Sequence, residues 1–227
     1  MRGKGAIFLI LLLGAGWLGY RFLPPHYNPF APLQLSDPPG RITQFKLRRL
    51  TPEACSVLLD EANRQRLISS QPVADTQGNC PLENVVRVRN FGSVALSSSF
   101  LASCPLALSS ALFVEQQAKP LARDLVGSSL RQIDHLGSYA CRNIYNRPDA
   151  RRSEHASAEA LDIAAFRFAD GRRVTVLNGW RQSDTQPFLR ALLDSVCQYY
   201  GNGLGPEYNA AHAAHFHLGM RGYGLCR

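Results

Sequence analysis

Six cysteines, Cys55, Cys80, Cys104, Cys141, Cys197 and Cys226, are spread along the 227-residue chain. No two form a C-x-x-C pair, which argues against a zinc ribbon or a thioredoxin-type site. An even count leaves three disulfides or six separate thiols. If paired, they admit only folds that bring distant segments within a few ångströms of one another. The redox state depends on the compartment, and the N-terminus carries the information about that.

Arg2 and Lys4 precede an uncharged run from Ala6 to Tyr20 dominated by Leu, Ile, Phe and Trp. Extended through Arg21 to Leu23 it is about 18 residues long, near the lower limit for crossing a bilayer. Trp17 and Tyr20 stand at one end, where aromatic side chains favour the interface. The flanking positive charges keep the N-terminus cytoplasmic, so the rest of the chain is exported. A cleaved signal peptide is the rival reading, but Gly14-Ala15-Gly16 lies inside the run and no clear A-x-A site follows. The expectation is therefore an uncleaved signal anchor over residues 1–23, a single-pass helix in the inner membrane with the domain in the periplasm. Export makes three disulfides the expected state. Six cysteines allow 15 connectivities. The reading adopted pairs Cys55–Cys80 as a local clip, Cys141–Cys197 as a tie from a strand to the helix near 185–199, and Cys104–Cys226 by elimination.

Residues 24–40 contain six prolines and read as an extended, polyproline-like tether with no packed element. The domain is expected over residues 41–227. Thr51-Pro52-Glu53 is a helix start signal, and the helix it opens runs to about residue 66. Further helices are expected from Pro105 to Gln117 and from Ser183 or Asp184 to about Tyr199. Strands are expected at 84–89, 161–168, 172–177 and 215–220, with Asp170-Gly171 as a hairpin turn. The fold class is α+β, a small antiparallel sheet flanked by helices. Gly201 to Pro206 lacks the Lys-Ser/Thr of a P-loop and reads as the turn after a helix.

The formal charge of +8 points toward anionic partners. Three of the positive charges are Arg2, Lys4 and Arg21 at the membrane, which leaves an excess of five on the exported part. Export also removes nucleic acid as a partner.

Three of the six histidines, His212, His215 and His217, lie within six residues. On a strand His215 and His217 share a face, with Phe216 on the other. Neighbouring Ala, Phe and Leu make that face partly buried, and two imidazoles together there suggest a metal ion. Asp162 lies in the apolar run Leu161 to Phe166, where an ionised carboxylate is costly unless paired or metal-bound. Alternation places it on a face with Ala164 and Phe166. His155 stands seven residues before it. A loop His, a strand Asp and a strand His supply three ligands and leave a fourth position open, as in hydrolytic zinc sites.

The spacing of Ser153, His155, Ala158, Ala160 and Asp162, followed by His-x-His, resembles the zinc peptidase group that includes lysostaphin-type endopeptidases, D-Ala-D-Ala carboxypeptidases and the hedgehog domain. The usual Gly of that motif is Ala158 here. The wider pattern, SYACR at 138–142, SEHASAEALDIAAF at 153–166, Trp180, Cys197 and LGPEYNAAHAAHFHLG at 204–219, with Cys-Pro at 80–81 and 104–105, resembles the bacterial extensin-like C-terminal domain family. The resemblance covers about residues 50–220. It implies a hedgehog/D,D-peptidase-like core, with His155, Asp162 and His217 as Zn²⁺ ligands, His215 as general base or transition-state stabiliser, and His212 as an auxiliary histidine. Arg142 resembles the Arg of an S-G-Y-R segment that binds a substrate carboxylate or carbonyl, with one residue inserted. Ala214 stands where carboxypeptidases of the group carry a catalytic Glu, so a His-based mechanism is implied.

The resulting expectation is an exported, membrane-anchored zinc hydrolase that cleaves a peptide amide bond in peptidoglycan, of D,D- or L,D-peptidase type. The alternative is a non-catalytic cell-wall binding module that keeps the fold and metal. Stem peptides or cross-links are the expected partners, together with an envelope protein that regulates the activity. Tyr139 and Trp180 are read as groove or core aromatics, and Ser153 as a substrate contact or a brace of the ligand loop. No G-x-S-x-G elbow accompanies Ser153. His135 is read as structural, and His26 belongs to the tether.

Overall fold

Period-two apolar patterning and Pro-initiated helices set most of the elements. The computed structural model describes residues 2–222 and 224–227. Nine strands form one mixed sheet: β1 (Ser69–Pro72), β2 (Val85–Phe91), β3 (Val94–Ser103), β4 (Leu130–Gly137), β5 (Ala160–Phe168), β6 (Arg173–Thr175), β7 (Asn202–Leu204), β8 (Phe216–Gly219) and β9 (Leu225–Cys226). Their order is β1-β2-β3-β4-β5-β8-β7-β9, with β6 also on β5. The expected small antiparallel sheet is corrected in two respects. It is larger, and two of its pairs, β3 with β4 and β7 with β9, are parallel. The α+β class holds.

The helices are α1 (Arg2–Phe22), α2 (Arg41–Arg48), α3 (Pro52–Arg64), α4 (Cys104–Phe113), α5 (Lys119–Leu121), α6 (Val176–Gly179) and α7 (Gln186–Val196). Thr51 caps α3, its side chain accepting from the Ala54 amide, and Ser103 caps α4 in the same way through the Leu106 amide. Each is followed by a proline in the first turn, where its missing N–H costs nothing. All of α4 except Pro105 is buried, because it runs among α2, α3, β2 and β3. Two π-helical turns, Val114–Ala118 and Ala122–Val126, carry the chain on from α4 through α5. The helix expected to start at Ser183 or Asp184 starts after Thr185 and stops at Val196.

Two N-terminal expectations change. The helix α1 forms, but among the described residues no helix is long and apolar enough to cross a membrane. The described apolar stretch from Ile7 to Tyr20 rises about 21 Å at 1.5 Å per residue, against roughly 30 Å of hydrocarbon. The segment 24–40 is not an unpacked tether. Leu33 and Asp37 are buried, and Asp37 pairs with the buried Lys46 Nζ of α2 at 2.8 Å. Lys46 also donates to the Pro25 carbonyl at 2.8 Å, and Gln116 donates to the Leu35 and Asp37 carbonyls. Proline-rich composition masked these contacts because the partners lie in later helices.

Three disulfides form, with a different pairing from the one expected: Cys55–Cys104, Cys80–Cys141 and Cys197–Cys226. Cys55 faces α4 because α3 packs along it, so its partner is Cys104 at the α4 start and not Cys80. Cys197 ends α7 beside β9, which carries Cys226. The segment 201–206, expected as a turn, contains β7, which pairs with β8 and β9.

Alternation on β5 separates two faces. Leu161 and Ile163 join Phe216 and Leu218 of β8 in the core, leaving Asp162 and His217 on the opposite face. The register of β5 against β4 shifts between Ile163 and Ala165, and beyond this bulge the alternation inverts. Phe166 therefore points into the core, against Phe188 and Phe216, and does not share the Asp162 face as expected. Tyr199 and Tyr200 follow α7 and pack edge-on against Phe113.

Non-reducing peptide mapping should recover the three observed pairs, and Cys55→Ala/Cys104→Ala should cost about 2–4 kcal/mol by urea unfolding; an unchanged midpoint would contradict the α3–α4 tie. Burial pushes the Tyr199 hydroxyl up to about 12. The folded state then retains a proton that the unfolded chain releases above about pH 10. Stability is full below that pH and declines as pH rises toward 12. Tyr199→Phe should flatten this alkaline decline, measured as unfolding temperature against pH.

Candidate metal centre

The site is built on one register pair. Asp162 of β5 lies opposite His217 of β8 in an unbroken antiparallel ladder from Ala160↔Gly219 to Ile163↔Phe216. Directly opposed side chains project to the same face within contact distance. His217 Nδ1 is 3.0 Å from Asp162 Oδ1. The third member comes from the short 3₁₀ helix Glu154–Ser157 just before β5, where His155 Nε2 approaches Asp162 Oδ2 at 3.3 Å. Candidate ligand atoms of His155, Asp162 and His217 all lie within 4.8 Å of one another, a group that could hold a metal ion.

The ligand loop is locked by its backbone. Ser153 Oγ accepts from the His155 amide at 3.3 Å. The Ser138 carbonyl, just past β4, accepts from His155 Nδ1 at 2.7 Å. This commits Nδ1 and leaves Nε2 as the nitrogen turned toward Asp162. Ala158 ends the 3₁₀ turn in the left-handed region at φ +51°, which is the physical reason a glycine suits this motif position. Its methyl is buried against Leu82 and Val85.

The other histidines converge on the same carboxylate. His215 Nε2 is 3.7 Å from Asp162 Oδ1. The His212 ring lies 5.3 Å from that of His215 and 5.8 Å from that of His217. Asn209 Oδ1 caps the turn Ala210–His212 and accepts from His212 Nδ1 at 2.8 Å, leaving Nε2 of the neutral ring as an acceptor. The Asn209 amide donates to Tyr145 Oη across the site at 2.9 Å.

Electrostatics divide these groups. Burial alone would raise Asp162, but the hydrogen bonds with His155 and His217 outweigh it and hold the carboxyl well below the usual range. Burial disfavours a charged His217, yet its contacts with Asp162 and Glu154 raise it to about 9. Burial, with the neighbouring charges of His217 and His215, lowers His212 to about 4. Burial also depresses His215, against the pull of Asp162. His212 and His215 are therefore neutral proton acceptors at pH 7.

Each residue expected in the site can now be placed. His155, Asp162, His217, His215 and His212 come together. Arg142 is half-buried, near enough for its charge to act on His215, and its guanidinium makes no hydrogen bond or ion pair among the described residues. Tyr139 keeps an exposed ring edge while its hydroxyl donates to the Cys80 carbonyl at 3.0 Å. Ser153 is buried, and its hydroxyl braces the ligand loop by accepting from the His155 amide. Trp180 is a core aromatic, packed on Phe216 with Arg190 over its ring. His135 Nε2 hydrogen-bonds Ser98 on β3, away from the cluster. One residue escaped the sequence reading: Glu154, largely covered behind His217 with its Oε2 3.4 Å from Nε2. Its position directly before His155 was the only available signal. A cavity of about 330 Å³ beside the His212–His215 turn is lined by Trp180, Arg181, Arg190, Glu207 and Ala213, among others.

Fold and site together define a disulfide-braced α+β domain carrying a histidine–aspartate cluster on the open face of its sheet. The chain belongs to the family described as Extensin-like protein C-terminus, whose model matches residues 53–227. No curated protein and no solved structure matches it.

Ala158→Gly tests the ligand loop. Relief of left-handed strain returns about 1–2 kcal/mol, offset by ~0.8 kcal/mol for the buried methyl and about 0.5–1 kcal/mol for added backbone freedom. The expected change in unfolding free energy is within about 1 kcal/mol of zero. Ala158→Val, with a branched side chain at the same φ, should be clearly destabilising; equal stability of the two variants would refute the strained-loop account.

Proposed function

We propose that this protein is an exported zinc-dependent hydrolase that cleaves a peptide amide bond in peptidoglycan, related to the D-Ala-D-Ala peptidase group. The observation that carries the reading is the donor set. A His155 Nε2 with its other nitrogen committed, an Asp162 carboxylate and the His217 Nδ1 converge with an open side toward solvent-facing groups, and they fit a catalytic Zn²⁺ with three protein ligands. When bound, Zn²⁺ supplies Lewis acidity at the scissile carbonyl and lowers the pKa of water toward ~7.

The chain's own residues supply the rest. His215, depressed by burial and close to Asp162, takes a proton from the attacking water at neutral pH and returns it to the leaving amine. His212, held by Asn209, keeps its Nε2 lone pair available beside it. Arg142 carries a fixed charge with no competing partner among the described residues, which suits a developing oxyanion or a substrate carboxylate. No glutamate stands at position 214, so proton transfer rests on the histidines. D,D- and L,D-stem bonds both present the amide and carboxylate groups that this arrangement recognises.

Three disulfides support an oxidising compartment. The row of exposed Ile, Leu, Phe and Trp side chains on α1 supports a membrane-facing role for that helix at the inner membrane.

The test is mass spectrometry of purified murein incubated with the zinc-loaded protein. Loss of cross-linked or full-length stem species is expected, together with its abolition by chelator. Intact murein with zinc confirmed in the protein would favour a non-catalytic wall-binding module instead. His215→Ala should keep the metal and lose about 10²–10⁴-fold in turnover; undiminished activity in that variant would reject His215 as the base.

A further inference from the structure

Behind His217, on the side away from Asp162, the fold builds a cradle for one carboxylate. Asn202 Nδ2 of β7 donates to Glu154 Oε2 at 3.0 Å, and the Arg221 amide donates to Oε1 at 2.6 Å. Gly219 at the end of β8 leaves the space empty: a Cβ there would lie 2.6 Å from each Glu154 carboxylate oxygen and 2.6 Å from Asn202 Nδ2. Three residues on two segments distant in sequence from Glu154 thus converge on its side chain, which is only 15% exposed. No Lys or Arg side chain pairs with it among the described residues; the Arg221 guanidinium turns to Glu159. Among the described residues the one ionisable side chain paired with Glu154 is His217.

We infer that Glu154 is a positioning residue that, when the site is loaded with metal, holds the His217 ring with Nε2–H toward itself and the Nδ1 lone pair toward the metal between His155 and Asp162. The geometry requires such a device. His217 stands between two carboxylates, with Asp162 at Nδ1 and Glu154 at Nε2. A neutral imidazole has one N–H. Left to Asp162 alone, at 3.0 Å, that proton sits on Nδ1 and covers the atom the metal needs. A fixed acceptor at Nε2 reverses the preference, and a carboxylate also strengthens Nδ1 as a donor to a cation. His155 reaches the same state with a backbone carbonyl. Among the described residues no backbone carbonyl hydrogen-bonds His217 Nε2, and Glu154 fills that place.

The inference rests on the zinc reading, and its test separates the two. The purified full chain and its Glu154→Gln and Gly219→Ala variants are titrated with Zn²⁺ alone against a chelating dye, and the ¹⁵N ring shifts of His217 are recorded with zinc bound. Wild type should bind with His217 in the Nε2–H form. Glu154→Gln keeps the shape and loses the charge, and should bind about 10–100-fold more weakly. Gly219→Ala, which displaces the carboxylate, should weaken binding at least as much. Thermal unfolding in excess chelator reports the structural contribution separately. A role limited to bracing the loop would lower the unfolding temperature in chelator and leave affinity and ring shifts unchanged, which overturns the inference. Absence of zinc binding by wild type overturns the metal reading and this inference with it, a result distinguishable from equal binding by wild type and Glu154→Gln.

Discussion

The buried carboxylate of Asp162 is the constraint around which the site is assembled. An ionised group in an apolar strand costs several kcal/mol unless its lone pairs are occupied. Here two imidazoles from separate elements occupy them, at 3.0 and 3.3 Å. That requirement fixes the β5–β8 register, since a slip of one residue would turn Asp162 into the core and Leu161 onto the open face. The unbroken ladder between these strands contrasts with the shifts on the β4 side of β5. The shifts fall between Leu130 and Gln132, Asp134 and His135, and His135 and Gly137, whereas the ladder is regular where the carboxylate meets its histidine.

The core supplies the rigidity that this arrangement needs. Leu161, Ile163, Phe216 and Leu218 anchor the same two strands from the opposite face, so the ligands cannot shift without disturbing close-packed side chains. The α7–β9 disulfide, Cys197–Cys226, holds the strand beyond β7, and β7 in turn delivers Asn202 to the cradle around Glu154. The path from the covalent tie to the candidate ligand is thus short and consists of paired backbone and a single side-chain amide.

The sequence made some of this legible and hid the rest for physical reasons. His217 and Asp162 stood out because polar groups inside apolar alternating runs need partners, and that argument is local. His155 was placed by its spacing to Asp162. The position of Phe166 was misjudged because the bulge near Ala164 leaves no mark in composition. The strand β3 was missed because Ser97, Ser98 and Ser99 interrupt its alternation, and β7 because its glycines resemble a turn. The disulfide pairs depended on which helix packs against which, and a preference for short loops chose wrongly. Glu154 was missed for a similar reason: the groups that bury it, at positions 202, 219 and 221, are distant in sequence, so nothing near it shows that it is buried.

A division of labour follows from where each group is mounted. The candidate ligands sit on paired strands or on a turn fixed by two backbone hydrogen bonds, where positions are held to a fraction of an ångström. The groups proposed to meet a substrate, Arg142, Tyr139, His212 and His215, sit on the connecting segments around the cluster. Those segments are restrained and not free. Cys80–Cys141 pins the chain one residue before Arg142, and the Asn209–Tyr145 hydrogen bond joins the histidine turn to the loop opposite. An arginine without a partner on an unrestrained loop would sample many orientations, and ordering it on a substrate would cost about 0.5–1.5 kcal/mol of side-chain freedom alone. Tying its neighbour covalently places part of that cost in folding, before any substrate arrives. Under the proposed function, an oxidising setting and the chemistry of the site would be coupled, because the Cys80–Cys141 cross-link also fixes the backbone that presents the arginine.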